Sequence, residues 1–167
     1  MARTVPASAD EASAPPLRIS RVIHARRETV FKAWGSAEHV KRWFAPATFT
    51  IPEAKVEMRP GGAFELAMRS PAGETHWIRG AFVEVAPHDR LTIDMIVEDS
   101  AHMPLFRAFT EVDFADALGG ARLDVTQTYT LIDATKAWMT AGAPEGWRST
   151  LDKQGDDDGS DSSGKSG

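Results

Sequence analysis

Polar side chains that could orient a bound molecule alternate with apolar ones in two segments near the end of the chain. In the segment Phe106 to Phe114, Thr110 shares one face of a predicted strand with apolar neighbours, and in the segment Ala121 to Leu131 so do Gln127 and Tyr129. A hydroxyl, an amide and a phenol among apolar side chains are the usual make-up of a small-molecule site. The alternative is that each of them bonds to neighbouring backbone or to water.

The predicted ligand-binding set extends this group to neighbouring strands and to a tryptophan near the C-terminus. If the His76 face of the strand Thr75 to Val85 points inward, His76 is the titratable group of the cavity. The set consists of Trp147, Thr110, Gln127, Tyr129, His76, Phe82, Val112 and Val125. For Trp147, lining the site and simple core packing are equal alternatives, whereas Trp34 and Trp43 are predicted to be core. The pattern identifies no catalytic residue.

Several classes of chemistry lack their signatures. The chain has no cysteine, and its five histidines are not paired at ligand spacing, so we predict no metal and no cofactor. No Gly-x-Ser-x-Gly elbow occurs, which disfavours serine hydrolysis. The glycines of Pro60-Gly61-Gly62 precede neither Lys-Ser nor Lys-Thr, and this segment is interpreted as a turn between strands.

Composition and charge limit the possible partners. The 167 residues carry a formal charge of −5, of which residues 152–167 contribute −3 from five Asp against two Lys, leaving about −2 for the rest. Lys and Arg are scattered, which disfavours nucleic acid. No stretch approaches the roughly 20 apolar residues of a membrane helix, and the first residues lack the apolar run of a signal peptide. We therefore expect a cytoplasmic protein without a membrane span.

The order of elements predicts an antiparallel α+β fold. Leu17 to His24 alternates as a half-buried strand, and two short helices follow, the second beginning at Ser36. Six further strands are predicted before a terminal helix, the last two joined at Gly119-Gly120. Neighbouring strands without intervening helices favour an antiparallel sheet. Residues 17–154 are the predicted domain; residues 1–16 and 155–167 are predicted to be a disordered arm and a disordered polar tail.

Six motifs carry a resemblance to a known family. They are Val30-Phe31-Lys32-Ala33-Trp34, His39 to Pro46, Met58-Arg59-Pro60-Gly61-Gly62-Ala63-Phe64, Arg79-Gly80, Pro87 to Leu91 and Glu145-Gly146-Trp147. In this order they resemble the activator of heat-shock-protein-90 ATPase-like group of the START, or Bet v 1-like, superfamily. One departure from the group is the polar sequence that follows Leu151, which predicts a shortened terminal helix.

The resemblance implies the helix-grip fold, in which a curved seven-stranded antiparallel sheet surrounds a C-terminal helix and leaves a cavity between them. It implies a protein that binds a small hydrophobic or aromatic molecule. Two alternatives stay open: an enzyme like the polyketide cyclases and aromatases of the same superfamily, or a chaperone-interaction module with a protein partner. The sequence does not decide the oligomeric state.

Overall fold

The computed structural model of the chain describes residues 13–44, 48–132, 147–148 and 150–154. The predicted arm and tail lie almost entirely outside these residues, as does the predicted start of the terminal helix at Asp133. The first strand begins at Ser13, four residues before the predicted start.

One antiparallel sheet of seven strands forms the body of the fold, as predicted. Its strands follow the spatial order β1-β7-β6-β5-β4-β3-β2, so consecutive strands from β2 to β7 are neighbours and β1 closes on β7. The strands are β1 Ser13–Ile23, β2 Thr50–Val56, β3 Ala63–Arg69, β4 Thr75–Ala86, β5 Arg90–Glu98, β6 Pro104–Ala117 and β7 Gly120–Leu131.

Two short helices connect β1 to β2: α1 (Arg27–Ala33) and α2 (Ala37–Trp43). Ser36 caps α2, its hydroxyl accepting a hydrogen bond from the His39 amide at 3.4 Å. Both helices bury their apolar residues, because Val30, Phe31, Val40 and Trp43 are each at most 3% exposed. At seven residues each, they depend on this packing for stability.

Two glycine-containing turns position the strands around the interior: one sets the pairing of β6 with β7, and the other is bonded to β4. Gly119 has a φ of 87°, a left-handed conformation that suits glycine, and the hairpin it forms pairs Ala117 with Gly120. In the Pro60-Gly61-Gly62 turn, the Gly61 amide donates to the Phe82 carbonyl at 2.8 Å and the Phe82 amide donates to the Gly62 carbonyl at 2.9 Å. This turn is therefore bonded to the middle of β4, beside a β-bulge between Phe82 and Glu84.

Aromatic side chains fill the interior beneath α1 and α2. Trp34 and Trp43 meet edge to face with ring centroids 4.9 Å apart, and both are fully buried. Phe44 continues the cluster to Phe64 on β3, at 5.3 Å, and Phe64 contacts Phe82 on β4, at 5.7 Å. Edge-to-face pairs at these separations have the preferred geometry of aromatic packing.

Candidate functional site

Four of the predicted site residues meet in one buried hydrogen-bonded network. Thr110 on β6 and Gln127 on β7 are directly opposite each other in the sheet, and the Gln127 amide nitrogen donates to the Thr110 hydroxyl at 2.9 Å. The Tyr129 hydroxyl, two residues farther along β7, donates to the Gln127 amide oxygen at 2.6 Å. The Trp147 indole N–H donates to the same oxygen at 3.0 Å, so the network joins the sheet to the C-terminal helical segment.

The donors around Gln127 determine which way its amide faces. An indole N–H can only donate, so the amide oxygen must be the atom nearest Trp147 and the amide nitrogen must face Thr110. Two donors then share the oxygen. The hydrogen bonds therefore run in one direction, from Tyr129 and Trp147 to Gln127 and from Gln127 to Thr110.

The network lies in an uncharged interior. Thr110 is fully buried, Tyr129 is 2% exposed and Gln127 is 7% exposed. Within the described part of the chain, the buried polar side chains apart from tyrosine and tryptophan are Thr92, Thr110, Gln127, Thr150 and Gln154, none of which is charged. Burial raises the pKa of Tyr129 above its ordinary value, so the phenol stays protonated and acts as a hydrogen-bond donor at neutral pH.

Trp147 lies at the boundary between this network and the aromatic cluster. Its ring stacks on that of Trp34, with centroids 6.0 Å apart and an interplanar angle of 15°, and meets Phe44 edge to face at 5.7 Å. The side chain is 8% exposed. Trp147 therefore packs as a core residue and also hydrogen-bonds to the network, while its role in lining a ligand site stays a prediction.

Polar contacts hold the described part of the C-terminal helical segment, residues 147–148 and 150–154, onto the fold. The Thr150 hydroxyl donates to the Phe44 carbonyl, beyond α2, at 3.1 Å, and the Gln154 amide donates to the Val30 carbonyl in α1 at 3.3 Å. Asp152 pairs with Arg21 on β1. The backbone amide of Trp34 donates to the Phe31 carbonyl and not to the Val30 carbonyl, so α1 itself supplies no partner for the Val30 carbonyl. The Gln154 side chain provides that partner.

The remaining predicted residues lie on the same inner face of the sheet but outside the network. Val112 and Val125 are directly paired beside Thr110 and Gln127, and both are at most 1% exposed. Phe82 is buried within the aromatic cluster. His76 shares the inward face of β4 with buried Ile78, but it is only half-buried at the end of the β3–β4 hairpin. The buried titratable group in the described interior is Tyr129 instead.

Two clefts open on other parts of the surface. One, of about 560 Å³, lies where the link between β1 and α1 meets the β6–β7 hairpin and is lined by Arg26, Arg27 and Asp116, among others. The second, of about 320 Å³, lies on the outer face of β2, β3 and β4, where the ring of Trp77 stacks on that of His102 at 4.7 Å. Neither cleft is lined by a residue of the predicted ligand-binding set.

Sequence reasoning placed the network residues on the correct faces but did not connect them to each other. The missing signal was available in the hairpin: counting seven residues outward from the closing pair Ala117 and Gly120 brings Thr110 opposite Gln127. The contacts made by Thr150 and Gln154 had no such signal, because they reach back 106 and 124 residues.

Comparison with known proteins identifies relatives by family and by fold. The family model described as activator of Hsp90 ATPase homolog 1-like protein matches residues 24–154. The chain matches no curated protein sequence. None of the helices within the described residues is long and apolar enough to cross a membrane.

Solved structures of bacterial proteins share the fold. A protein from Chromobacterium violaceum is 22% identical with a TM-score of 0.72, the match covering 85% of this chain and 96% of that one. A protein from Rhizobium leguminosarum is 22% identical with a TM-score of 0.74, covering 86% and 94%. The AHSA1 protein from Silicibacter pomeroyi is 19% identical with a TM-score of 0.70, covering 86% and 96%. At these identities the likeness concerns the fold alone.

Proposed function

Because the chain belongs to the activator of Hsp90 ATPase homolog 1-like family, we propose that it binds a small hydrophobic or aromatic molecule between the sheet and the C-terminal helical segment. One observation carries the proposal: the buried network of Thr110, Gln127, Tyr129 and Trp147 lies between apolar strand residues and that segment. Apolar walls with a few convergent polar groups are the usual composition of a ligand site.

The packing around Trp147 suggests which part of the interior receives the ligand. Its face toward α1 and α2 is occupied by Trp34 and Phe44. On the opposite side of the network, one position next to Tyr129 is small: Ala108 stands between Met95 on β5 and Tyr129 on β7. Methionine adapts its shape to irregular contents more readily than branched or aromatic residues do. We place the ligand on this side, against Ala108 and Tyr129.

The same network argues for binding over proton-transfer catalysis. A general acid or base works best when its pKa lies near the operating pH, and burial moves the pKa of Tyr129 in the opposite direction. The cytoplasmic location stays a prediction from composition. Binding of a protein partner, as an interaction module, stays the alternative function.

Filling the proposed site without adding charge tests the function. Ala108→Leu adds apolar volume next to Tyr129, and Ala121→Leu is the matched control, since Ala121 is fully buried on the same face of β7 at the other end of the strand. Binding of the neutral dye Nile red is followed by fluorescence, and stability by urea unfolding. We expect Ala108→Leu to abolish binding with little loss of stability, and Ala121→Leu to keep binding while losing about 1–3 kcal/mol through overpacking.

The opposite pattern would contradict the proposal. If Ala108→Leu loses as much stability as the control and leaves the dye signal unchanged, the interior is an ordinary close-packed core. The interaction-module alternative then becomes the leading interpretation.

A further inference from the structure

All hydrogen bonds of the network run toward Thr110, and the hydroxyl of Thr110 is itself a buried donor. Tyr129 and Trp147 donate to Gln127, and Gln127 donates to the Thr110 oxygen. The hydroxyl proton of Thr110 must therefore point away from the Gln127 nitrogen. No hydrogen bond donated by this hydroxyl is found in residues 13–44, 48–132, 147–148 and 150–154, although Thr110 is fully buried.

A buried donor without an acceptor is unfavourable, because it lost its bond to water on folding. Thr110 cannot be satisfied by Gln127, whose amide oxygen already accepts two hydrogen bonds and whose nitrogen is a donor. A second buried donor without a partner in the described part is the indole N–H of Trp34, whose ring stacks on Trp147. Two buried donors of the interior, the Thr110 hydroxyl and the Trp34 indole, therefore lack an acceptor among the described residues.

The interior is also unable to balance a charge. All of its polar side chains in the described part are uncharged hydroxyl, amide, phenol or indole groups. A carboxylate or ammonium placed there would lose its hydration and find no opposite charge, which is far more costly than burying a neutral polar group.

From these observations, and resting on the proposed function, we propose that the ligand is an uncharged molecule with a carbonyl-type oxygen that accepts the hydrogen bond of the Thr110 hydroxyl. The hydrogen bonds behind this hydroxyl polarise it in the direction of donation, since each donor in the chain strengthens the next. The rest of the molecule is apolar and contacts the side chains around Ala108 and Tyr129.

Three probes with one naphthalene ring separate the parts of this proposal: acetylnaphthalene carries a neutral carbonyl, isopropylnaphthalene has nearly the same shape without oxygen, and naphthoate is charged. Binding to the full chain is measured by isothermal titration calorimetry. The expected order places naphthoate at least about 100-fold weaker than the ketone, because its charge is unpaired in the interior.

The role of Thr110 is tested by a matched pair of substitutions. Thr110→Val removes the hydroxyl and keeps the shape, and it should lower the ketone-to-hydrocarbon affinity ratio roughly tenfold. Thr92→Val is the control, because Thr92 is 3% exposed on the neighbouring strand but lies on the opposite face from Ile93, which is paired with Thr110. Thr110→Ser should restore the ratio, which a purely structural role would not predict. Thermal unfolding establishes that each variant is folded at the temperature of the titration.

The outcomes distinguish this inference from the proposed function. An unchanged ratio in Thr110→Val, or naphthoate binding as tightly as the ketone, would overturn the inference while leaving a hydrophobic site in place. If neither of the two neutral probes binds the wild-type chain, the proposed function itself fails, and the inference fails with it.

Discussion

Replacing Gln127 by leucine should be among the most destabilising single changes in the interior, although it preserves volume and apolar packing. The substitution removes the amide oxygen that accepts from Tyr129 and from Trp147. Both donors belong to residues that are at most 8% exposed, so water cannot readily replace the lost acceptor. Each buried donor left unpaired costs about 1–3 kcal/mol, which gives a total of about 2–6 kcal/mol for Gln127→Leu.

A double-mutant cycle separates this effect from lost packing. Tyr129→Phe alone removes one hydrogen bond but leaves Gln127 bonded to Trp147 and Thr110, so it should cost only about 0.5–1.5 kcal/mol. In the double variant the phenol that Gln127→Leu had stranded is no longer present. The free-energy change of the double variant should therefore be smaller than the sum of the two single changes by more than about 0.5 kcal/mol.

Urea unfolding followed by tryptophan fluorescence measures the free energies, and an unchanged denaturant slope indicates that the compactness of the two states is unaffected. If Gln127→Leu is as stable as the wild type, or if the two changes are additive, the network carries no coupling energy. Tyr129 and Trp147 would then not depend on Gln127 as their acceptor.

Three further predictions concern other parts of the fold. Tyr129 is the one tyrosine of the chain, and its pKa is raised on folding. Its contribution to the free energy of unfolding is therefore complete below about pH 10, the pKa of an unfolded tyrosine, and is lost as the pH rises above that value. Tyrosinate absorbance should accordingly appear only as the protein unfolds, and ionisation of the native protein near pH 10 would contradict the assigned burial. Trp43→Ala should cost about 3–5 kcal/mol in urea unfolding, because the ring is fully buried and its N–H donates to the Ala33 carbonyl at 3.2 Å; unchanged stability would show that α2 is not docked as described. We propose residues 17–154 as the folding unit, so a chain trimmed to residues 13–154, which keeps β1 intact, should have the melting temperature of the full chain; a fall of more than a few degrees would count against it.

Local signals in the sequence were sufficient to predict the sheet and the faces of its strands. The alternation of polar and apolar residues placed Thr110, Gln127 and Tyr129 on the inner face, where the structure has them. Gly119 marked the hairpin because its left-handed backbone favours glycine, and Ser36 marked a helix start because its hydroxyl accepts from the first turn. Each of these signals depends on residues within a few positions of each other.

Features that depend on irregularity or on long-range contact were not predictable in this way. Strict alternation along β4 puts Glu84 on the same face as Phe82, but the bulge between them reverses the alternation. Glu84 is instead exposed and accepts from Arg90 at 3.1 Å. The contact of Trp147 with Trp34 similarly joins two distant segments through shape alone, and no local pattern encodes it.

The described contacts of the C-terminal helical segment show how it is held on the fold. An amphipathic helix gains its stability from the apolar face that it buries. The described part of this segment buries one aliphatic residue fully, Leu151, together with Trp147. Thr150 and Gln154 add hydrogen bonds to the carbonyls of Phe44 and Val30, and buried carbonyls need such partners. These bonds hold the segment from the side of α1 and α2, and Trp147 holds it from the side of β7. Because the segment is anchored on both sides independently of the Thr110 hydroxyl, that hydroxyl can donate to a ligand without loosening the helix from the sheet.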